Sequence, residues 1–294
     1  MSRESEKPTP MEAVLATLDL ETIEMNLFRG NSPQVGWQRV FGGQVIGQAL
    51  MAAQRTVADD RFVHSLHAYF MLPGDPAVPI LYQVDRLRDG SSFNTRRVLA
   101  VQHGKAIFAL TASFQFDEPG FEHQGEMPQV PMPEELMDEE QVKERYLAHA
   151  PENVRRYWER KRAVEIRPVS IEGYFSRSQP SQRQNIWVRL TGPVPDDRLY
   201  RNAVLAYLSD MTLLDVALNA HGTSVLDQGI QVASLDHAMW FHRPFKLDDW
   251  LLYSQESPSA SGARGFTRGS LFTRSGVLIA SVAQEGLIRK KAND

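Results

Sequence analysis

The sequence uses one layout twice, and this repeat restricts the fold more than any other feature. A helical segment precedes strand-like runs joined by short turns, first over residues 41–116 and again over residues 202–289. Turns such as His103-Gly104 and Ser275-Gly276 are typical of hairpins, which favours antiparallel pairing. The sequence therefore predicts an α+β fold made of two copies of one unit, each a helix wrapped by an antiparallel sheet.

The repeat also divides the chain. Leu81-Tyr82 matches Leu252-Tyr253, and ALTAS at 109–113 matches ASVAQ at 280–284. Between the halves, a stretch rich in proline, glycine and acids leads into a charged stretch with scattered apolar residues, which is typical of a linker and surface helices. We therefore expect an N-terminal domain at 1–118, a linker with surface helices at 119–162 and a C-terminal domain at 163–294.

Periodicity and turn residues predict the individual elements. The expected helices are Met11–Leu18, Phe41–Thr56 and Asn202–Gly222. The expected strands of the first half are Thr22–Arg29, Val63–Leu72, Ile80–Leu87, Phe93–Gln102 and Ala106–Phe116. Those of the second half are Val164–Val169, Asn185–Leu190, Gln231–Phe241, Trp250–Glu256, Ala263–Thr273 and Val277–Arg289.

Composition narrows the class of protein. A chain of 294 residues with 42% hydrophobic and 23% charged residues is globular. Its net charge of -4 and the lack of a basic block argue against nucleic acid as a partner. The chain has no cysteine, no apolar signal core and no run long enough to span a membrane. We expect a soluble cytoplasmic protein that is not bound to a membrane.

Asp210 interrupts an apolar stripe of the predicted helix at 202–222. The apolar members of the stripe recur at helical spacing: Ala206, Leu213, Leu214 and Ala217. An acid in such a stripe is costly to bury unless it is hydrogen-bonded or paired. Either Asp210 lies at the edge of the stripe and meets solvent, or it is a functional carboxylate in an apolar site. Asp215 lies on another face, where we expect a surface acid.

Gln284 ends an apolar row on one face of the last predicted strand, which could pack on the helix that carries Asp210. It could equally lie in solvent at the strand end. In the alignment of the halves, Ser113 stands in place of Gln284, and roughly Gln48 stands in place of Asp210. Because the acid and the amide occur together only in the second half, we expect one active site per chain, in that half. Taken alone, Ser234 is an ordinary strand serine.

The sequence does not contain the other common catalytic and binding motifs. The eight histidines form no metal-ligand pattern, and His64 and His67 lie on opposite faces of a strand. Asp236-His237 is not a charge relay, because neighbouring strand residues point apart. The chain has no nucleophile elbow, no dinucleotide-binding glycine pattern, and Gln48 where a phosphate loop requires lysine. A carboxylate with hydroxyl and amide neighbours suits activation of water, with the substrate left open.

Several longer motifs resemble the type II acyl-CoA thioesterases. They are FGGQVIGQALMAA (41–53), VHSLHAYFMLPGD (63–75), LAYLSD (205–210), DHAMWFHRPF (236–245), WLLYSQESPSASGARGF (250–266) and VAQEG (282–286). The resemblance covers the chain from about Phe28 to Arg289. It implies a double hot-dog fold and hydrolysis of fatty acyl-CoA to free acid and coenzyme A without a metal or an organic cofactor. By analogy, a homodimer or homotetramer is expected.

The same resemblance implies three catalytic residues. The family uses an aspartate on the second hot-dog helix, a threonine or serine hydroxyl and a glutamine, which together orient one water. Asp210, Ser234 and Gln284 match these positions. Where the family often has threonine, Ser234 keeps the hydroxyl but loses the methyl group that restricts the rotamer. We expect this difference to alter the rate modestly and the mechanism not at all.

Two other functions stay open. A hot-dog hydratase or dehydratase is disfavoured, because such sites place a histidine four or five residues after the aspartate, where this chain has Leu214 and Asp215. A non-catalytic acyl-CoA binding or regulatory protein would bind the ligand tightly without releasing free thiol. The presence of all three polar residues argues against it.

Overall fold

The structure is a computed structural model and describes residues 8–33, 38–147, 155, 159–171, 180–225, 227 and 229–291. Its helices are α1 (Pro10–Leu18), α2 (Gly42–Gln54), α3 (Glu139–Val142), α4 (Arg198–Ser209) and α5 (Asp215–Asn219). The strands before residue 120 are β1 (Glu21–Glu24), β2 (Leu27–Gly30), β3 (Phe62–Phe70), β4 (Ile80–Asp89), β5 (Phe93–Gln102) and β6 (Lys105–Gln115). The later strands are β7 (Val164–Pro168), β8 (Arg183–Leu190), β9 (Ile230–Ser234), β10 (Asp236–Phe241), β11 (Leu251–Ser261), β12 (Arg264–Thr273) and β13 (Leu278–Lys290).

All the strands of the described residues belong to one antiparallel sheet. Its order is β1-β2-β4-β5-β6-β3-β10-β13-β12-β11-β8-β7, with β9 pairing to β13. The first half contributes β4-β5-β6-β3 and the second contributes β11-β12-β13-β10, so the two orders mirror each other. The halves join where β3 pairs with β10. This confirms the predicted repeat of an α+β unit.

Helices α2 and α4 pack against each other in antiparallel orientation. Gly43, near the start of α2, lies beside the carbonyl of Tyr207 near the end of α4. At the opposite end, Gln54 Nε2 donates a hydrogen bond of 3.1 Å to the carbonyl of Leu199. The end of α4 is thereby placed against the start of α2, in the apolar core that both helices share with the sheet.

A buried tyrosine links each of α2 and α4 to its own half of the sheet, as the matched Leu-Tyr pairs of the alignment suggest. Tyr82, on β4, donates a hydrogen bond of 2.7 Å to Gln48 Oε1 on α2. Tyr253, on β11, donates one of 2.7 Å to the carbonyl of Ser209 at the end of α4. Both tyrosines are completely buried. The second contact fixes the point at which α4 ends.

One predicted strand of the first half is wrong. Thr22–Arg29 is two short strands, β1 and β2, joined by a turn at Met25-Asn26. Asn26 has a φ of 61°, in the left-handed region that asparagine tolerates better than most residues. The alternating pattern hid this turn because neither glycine nor proline marks it.

The segment between the halves lies against the second half of the sheet. Trp187 Nε1 donates a hydrogen bond of 2.9 Å to the carbonyl of Pro131, and Met127 and Val130 pack on the small apolar cluster of which Trp187 is part. Of the predicted surface helices, the structure has α3 followed by one turn of π-helix at Lys143–Leu147. The parts of that prediction at 148–154 and 156–158 lie outside the described residues.

Candidate active site

Asp210 lies immediately after the last residue of α4, so the single predicted helix at 202–222 is wrong. In a continuous helix the carbonyl of Ser209 would accept the N–H of Leu213. Here it accepts the hydroxyl of Tyr253 instead. Thr212 then takes a φ of 63°, and the chain turns before α5 begins. The carboxylate therefore stands at a helix end, where it is accessible to other elements.

Ser234 and Gln284 reach Asp210 from neighbouring strands. The predicted strand Gln231–Phe241 is broken at Leu235 into β9 and β10, and Ser234 is the last residue of β9. It pairs with Gly286 of β13, two residues beyond Gln284. Positions 284 and 286 share a face of β13, and so does the Ser234 side chain opposite Gly286, which brings the hydroxyl and the amide to the same side of the sheet.

The three residues that the sequence predicts meet in one cluster. Gln284 Nε2 donates to Asp210 Oδ1 at 3.1 Å and to Ser234 Oγ at 2.7 Å. Ser234 Oγ donates to Asp210 Oδ1 at 3.4 Å. Gln284 is buried, whereas Asp210 and Ser234 are only partly covered. The cluster is thus anchored by the amide and open on the side of the acid and the hydroxyl.

The start of α2 forms the opposite wall. The backbone N–H of Gly43 donates a hydrogen bond to the Asp210 carboxylate. Gly42 also lies against Asp210, since a Cβ at that position would lie 2.7 Å from Asp210 Oδ2 and 3.0 Å from a ring carbon of Phe70. The residue that caps α2, Phe41, supplies no side-chain acceptor. The carboxylate therefore lies at the N-terminus of a 13-residue helix, where the first N–H groups have no partner within the helix.

Burial raises the pKa of Asp210 from 3.8 to about 6. The hydrogen bonds from Gln284, Gly43 and Ser234 each favour the charged form and hold the pKa below what burial alone would give. A carboxyl with this pKa is ionised at neutral pH and is a stronger base than an exposed aspartate. Such a group is poised to take a proton from water.

Sequence reasoning missed His237. It is completely buried, with Nδ1 3.0 Å from Gln284 Oε1 and Nε2 2.9 Å from Ser209 Oγ. The predicted absence of an Asp236–His237 pair fits the structure, because Asp236 accepts the backbone N–H of Glu285 instead. The signal available in the sequence was alternation: His237 and Gln284 both lie on inward-facing positions of paired strands.

Asp215 is not the surface acid that the sequence suggests. As the first residue of α5 it is only partly exposed, and burial raises the pKa of its carboxyl from 3.8 to about 7. The prediction failed because it assumed one continuous helix through residue 215. Asp215 is a second desolvated carboxyl close in sequence to Asp210, without the hydrogen bonds from Ser234 and Gln284.

The first half has no comparable acid at its equivalent positions. Ser113, which aligns with Gln284, lies 2.8 Å from His64 Nε2. Gln48 is buried and its amide donates to the carbonyls of Thr17 and Asn31, so it anchors the N-terminal segment to α2. Within the part of the chain that the structure describes, there is no group of three or more His, Asp or Glu side chains arranged to hold a metal ion.

Known proteins that are similar to this chain are acyl-CoA thioesterases. The profile for "Acyl-CoA thioesterase" matches residues 154–287, and that for "Acyl-CoA thioesterase N-terminal domain" matches residues 29–115. Acyl-CoA thioesterase 2 of Haemophilus influenzae is 42% identical, covering 92% of this chain and 95% of its own length. The human acyl-coenzyme A thioesterase 8 is 44% identical over 97% of this chain and 92% of its own length.

Solved structures agree as well. An acyl-CoA thioesterase II from Mycobacterium marinum is 43% identical and superposes with a TM-score of 0.78, covering 95% of this chain and 99% of its own. A protein with a hot-dog fold from Alicyclobacillus acidocaldarius is 18% identical with a TM-score of 0.77, over 95% and 99% of the two chains. The second likeness concerns the fold alone, and together they confirm the predicted double hot-dog architecture. Among the helices of the described residues, none is long and apolar enough to cross a membrane.

Proposed function

This chain belongs to the acyl-CoA thioesterase family, and on that premise we propose that Asp210, Ser234 and Gln284 carry out its reaction. It is a thioester hydrolase that cleaves acyl-CoA. The observation that supports the residue assignment is the convergence of all three side chains, with Gln284 Nε2 hydrogen-bonded to both partners. An acid, a hydroxyl and an amide in this arrangement can hold a water and take its proton.

Asp210 acts as the general base. It accepts a proton from water while the water oxygen bonds to the carbonyl carbon of the thioester, and the C=O electron pair moves onto oxygen. When the carbonyl re-forms, the C–S bond breaks and the thiolate of coenzyme A leaves. The proton held by Asp210 passes to the departing sulfur, so the products are a free acid and a thiol. A positioned base of this kind contributes about 10² to 10⁴-fold.

Ser234 and Gln284 orient the attacking water. The two N–H groups of the Gln284 amide hold the Asp210 carboxylate and the Ser234 hydroxyl in place. The remaining lone pair of the hydroxyl and the carboxylate oxygens can then bind a water between them. Holding the water in attack geometry converts part of the activation entropy into binding that precedes the reaction. The hydroxyl at 234 needs no proton of its own to be transferred in this scheme.

The start of α2 stabilises the negative oxygen that forms during attack. Its first N–H groups have no partner within the helix, and the helix dipole places partial positive charge at this end. With Gly43 N–H bonded to Asp210, Gly42 N–H is the donor that we assign to the oxyanion. Backbone donors aimed at a developing charge are among the largest contributions to catalysis.

Several wider properties belong to the same proposal. The substrates are fatty acyl-CoA thioesters, no metal or organic cofactor takes part, and the enzyme works in the cytoplasm as a homodimer or homotetramer. The active site is formed with residues of the C-terminal domain at 163–294, which follows the linker at 119–162 and the N-terminal domain at 1–118.

The experiment is thiol release from acyl-CoAs of graded chain length by the wild type, Asp210→Asn and Asp215→Asn. The last variant is a matched control, because it neutralises another desolvated aspartate that lacks the contacts with Ser234 and Gln284. We expect release by the wild type and by Asp215→Asn, with Asp210→Asn reduced by about 10² to 10⁴-fold.

Three results would contradict the proposal. Full activity of Asp210→Asn would remove the base. Equal loss in both variants would point to a general effect of neutralising buried acids. Tight binding of acyl-CoA without thiol release from the wild type would favour a binding or regulatory protein.

A further inference from the structure

The buried side-chain amide of Gln284 has a defined orientation, because its nitrogen and oxygen ends face different partners. Its nitrogen end donates to Asp210 and Ser234, so its oxygen end faces inward, to His237. Rotating the amide by half a turn would place Oε1 against the ionised carboxylate, two acceptors facing each other. The oxygen end is held as well, because His237 Nδ1 lies 3.0 Å from Oε1.

We propose that His237 is a positioning residue for the hydrolysis, and that its Nδ1–H holds the Gln284 amide with the nitrogen end toward Asp210. This inference rests on the proposed roles of Asp210 and Gln284. The imidazole touches neither water nor thioester in this scheme. It acts through Gln284, from the side of the amide that lies away from the carboxylate.

The proton arrangement follows from the partners. Burial lowers the pKa of His237 to about 4, so the neutral ring carries one proton. An amide oxygen can only accept, which requires that proton on Nδ1. Nε2 is then an acceptor, and the hydroxyl of Ser209, 2.9 Å away, donates to it. Ser209 Oγ is also 2.9 Å from the carbonyl of Ala206, so its one proton has two acceptors within reach. With the imidazole proton on Nδ1, the hydroxyl proton goes to Nε2.

The titratable groups around this chain of hydrogen bonds come from three strands and a helix end. Asp210 follows α4, and Tyr253 from β11 donates to the Ser209 carbonyl. Burial raises the pKa of the Tyr253 hydroxyl, which keeps its proton. Asp236 and Glu285 are neighbours of His237 and Gln284 along β10 and β13, and Asp236 is engaged with the Glu285 N–H. None of these supplies another donor to Gln284 Oε1.

The contact with His237 should affect the acid limb of the pH profile, which is the fall in activity as Asp210 becomes protonated. The hydrogen bond from Gln284 is the largest of the three that lower the pKa of Asp210. Without Nδ1–H, Oε1 loses its donor, the amide is held at its nitrogen end alone, and that bond weakens. Loss of the histidine should therefore raise the pH at which Asp210 loses its proton, as well as lower kcat. A purely structural role would not move this pH.

The test compares His237→Asn with His237→Leu in thiol release from one acyl-CoA, over a range of pH. Asparagine can place an N–H near the position of Nδ1, whereas leucine fills similar space without a donor. We expect leucine to lower kcat by about tenfold and to move the acid limb up by about half a pH unit, with KM little changed. Asparagine should restore most of both. In a Gln284→Ala background, His237→Leu should shift the acid limb no further.

A second measurement does not depend on activity or on the variants. Nitrogen NMR of the wild-type protein labelled at histidine reports which ring nitrogen of His237 carries the proton. A protonated Nδ1 supports the proposal, and a proton on Nε2 alone overturns it. The kinetic comparison can overturn it too. One such result is a leucine variant with the same kcat and the same acid limb as the wild type. The other is an equal loss of kcat in the leucine and asparagine variants with the acid limb unmoved. If the wild type released no thiol, the proposed function would fail while the NMR result still stood.

Discussion

Gly42 and Asp210 are so close that a Cβ at residue 42 would lie 2.7 Å from the carboxylate oxygen Oδ2. The N-terminal half thus supplies a wall of the site whose chemistry comes from the C-terminal half. Only a residue without a side chain lets the start of α2 approach the carboxylate in this way. Packing of the two halves against each other is therefore required to complete the active site as well as to form the fold.

Replacing Gly42 tests this contact. We expect Gly42→Ala to displace the Asp210 carboxylate, because Phe70 blocks the methyl group on its other side at 3.0 Å. A displacement approaching 1 Å can cost about 10²-fold in rate, so kcat should fall by about 10 to 10²-fold. Gly125→Ala is the control, since a Cβ there meets no atom within 4 Å. Unchanged kcat in Gly42→Ala would mean that the site does not depend on this approach.

Asp210 lowers stability at neutral pH. Folding raises the pKa of its carboxyl from 3.8 to about 6, so the folded state binds the proton more tightly than the unfolded state. The free energy of unfolding therefore falls as pH rises through this window and stays reduced above it. We expect Asp210→Asn to raise the free energy of unfolding near pH 8 by up to about 3 kcal/mol.

Urea unfolding at two pH values measures this effect. Near pH 4.5 the gain should shrink to about a third, because the folded wild type is then already protonated. A variant that is less stable than the wild type near pH 8 would contradict the raised pKa. Higher stability together with lost activity would be the pattern expected of a functional carboxylate.

Gln284→Glu places a second carboxyl 3.1 Å or so from Asp210 Oδ1, judged by the present Nε2 contact. Like charges so close cannot both ionise easily, and one pKa rises. We expect the acid limb of kcat/KM to move up by about one pH unit or more, with lower activity at neutral pH. Gln284→Met, which removes the amide without adding charge, should move the limb less. Equal limbs in the two variants would argue against direct contact with the base.

Two substitutions test the hydroxyl at residue 234, one that adds a methyl group beside it and one that removes it. Ser234→Thr keeps the oxygen that accepts from Gln284 at 2.7 Å, so we expect kcat within about threefold of the wild type, a modest effect on rotamer freedom alone. Ser234→Ala leaves the Gln284 amide and the Asp210 carboxylate without this partner, and kcat should fall by about tenfold. Loss of activity in both variants would indicate that steric fit matters more than the hydroxyl.

The sequence was sufficient for the layout, and it predicts three site residues that the structure brings together. The repeat gave the two mirrored halves, since hairpin spacing and apolar periodicity are local properties. Asp210 and Gln284 stand out by their places in apolar patterns and by the comparison of the halves, whereas Ser234 is predicted by the resemblance alone. The structure places the three within hydrogen-bonding distance.

What the sequence left out depends on contacts between distant segments. The end of α4 at Ser209 is imposed by Tyr253, which lies 44 residues away, so helical spacing continued past the true end. The break at Leu235 separates two strands with different partners. Among the described strands β9 pairs with β13 alone, whereas β10 pairs with both β13 and β3. His237 escaped notice because its partners, Ser209 and Gln284, are brought together only by the fold.

The pH dependence of kcat/KM tests the central claim most directly, because it reports the ionisation of the free enzyme. If Asp210 is the base, the wild type and Asp215→Asn share an acid limb at about pH 6. Whatever slow reaction Asp210→Asn retains should lack that limb. An identical limb in Asp210→Asn, or its disappearance in Asp215→Asn alone, would assign the base to another group and contradict the account.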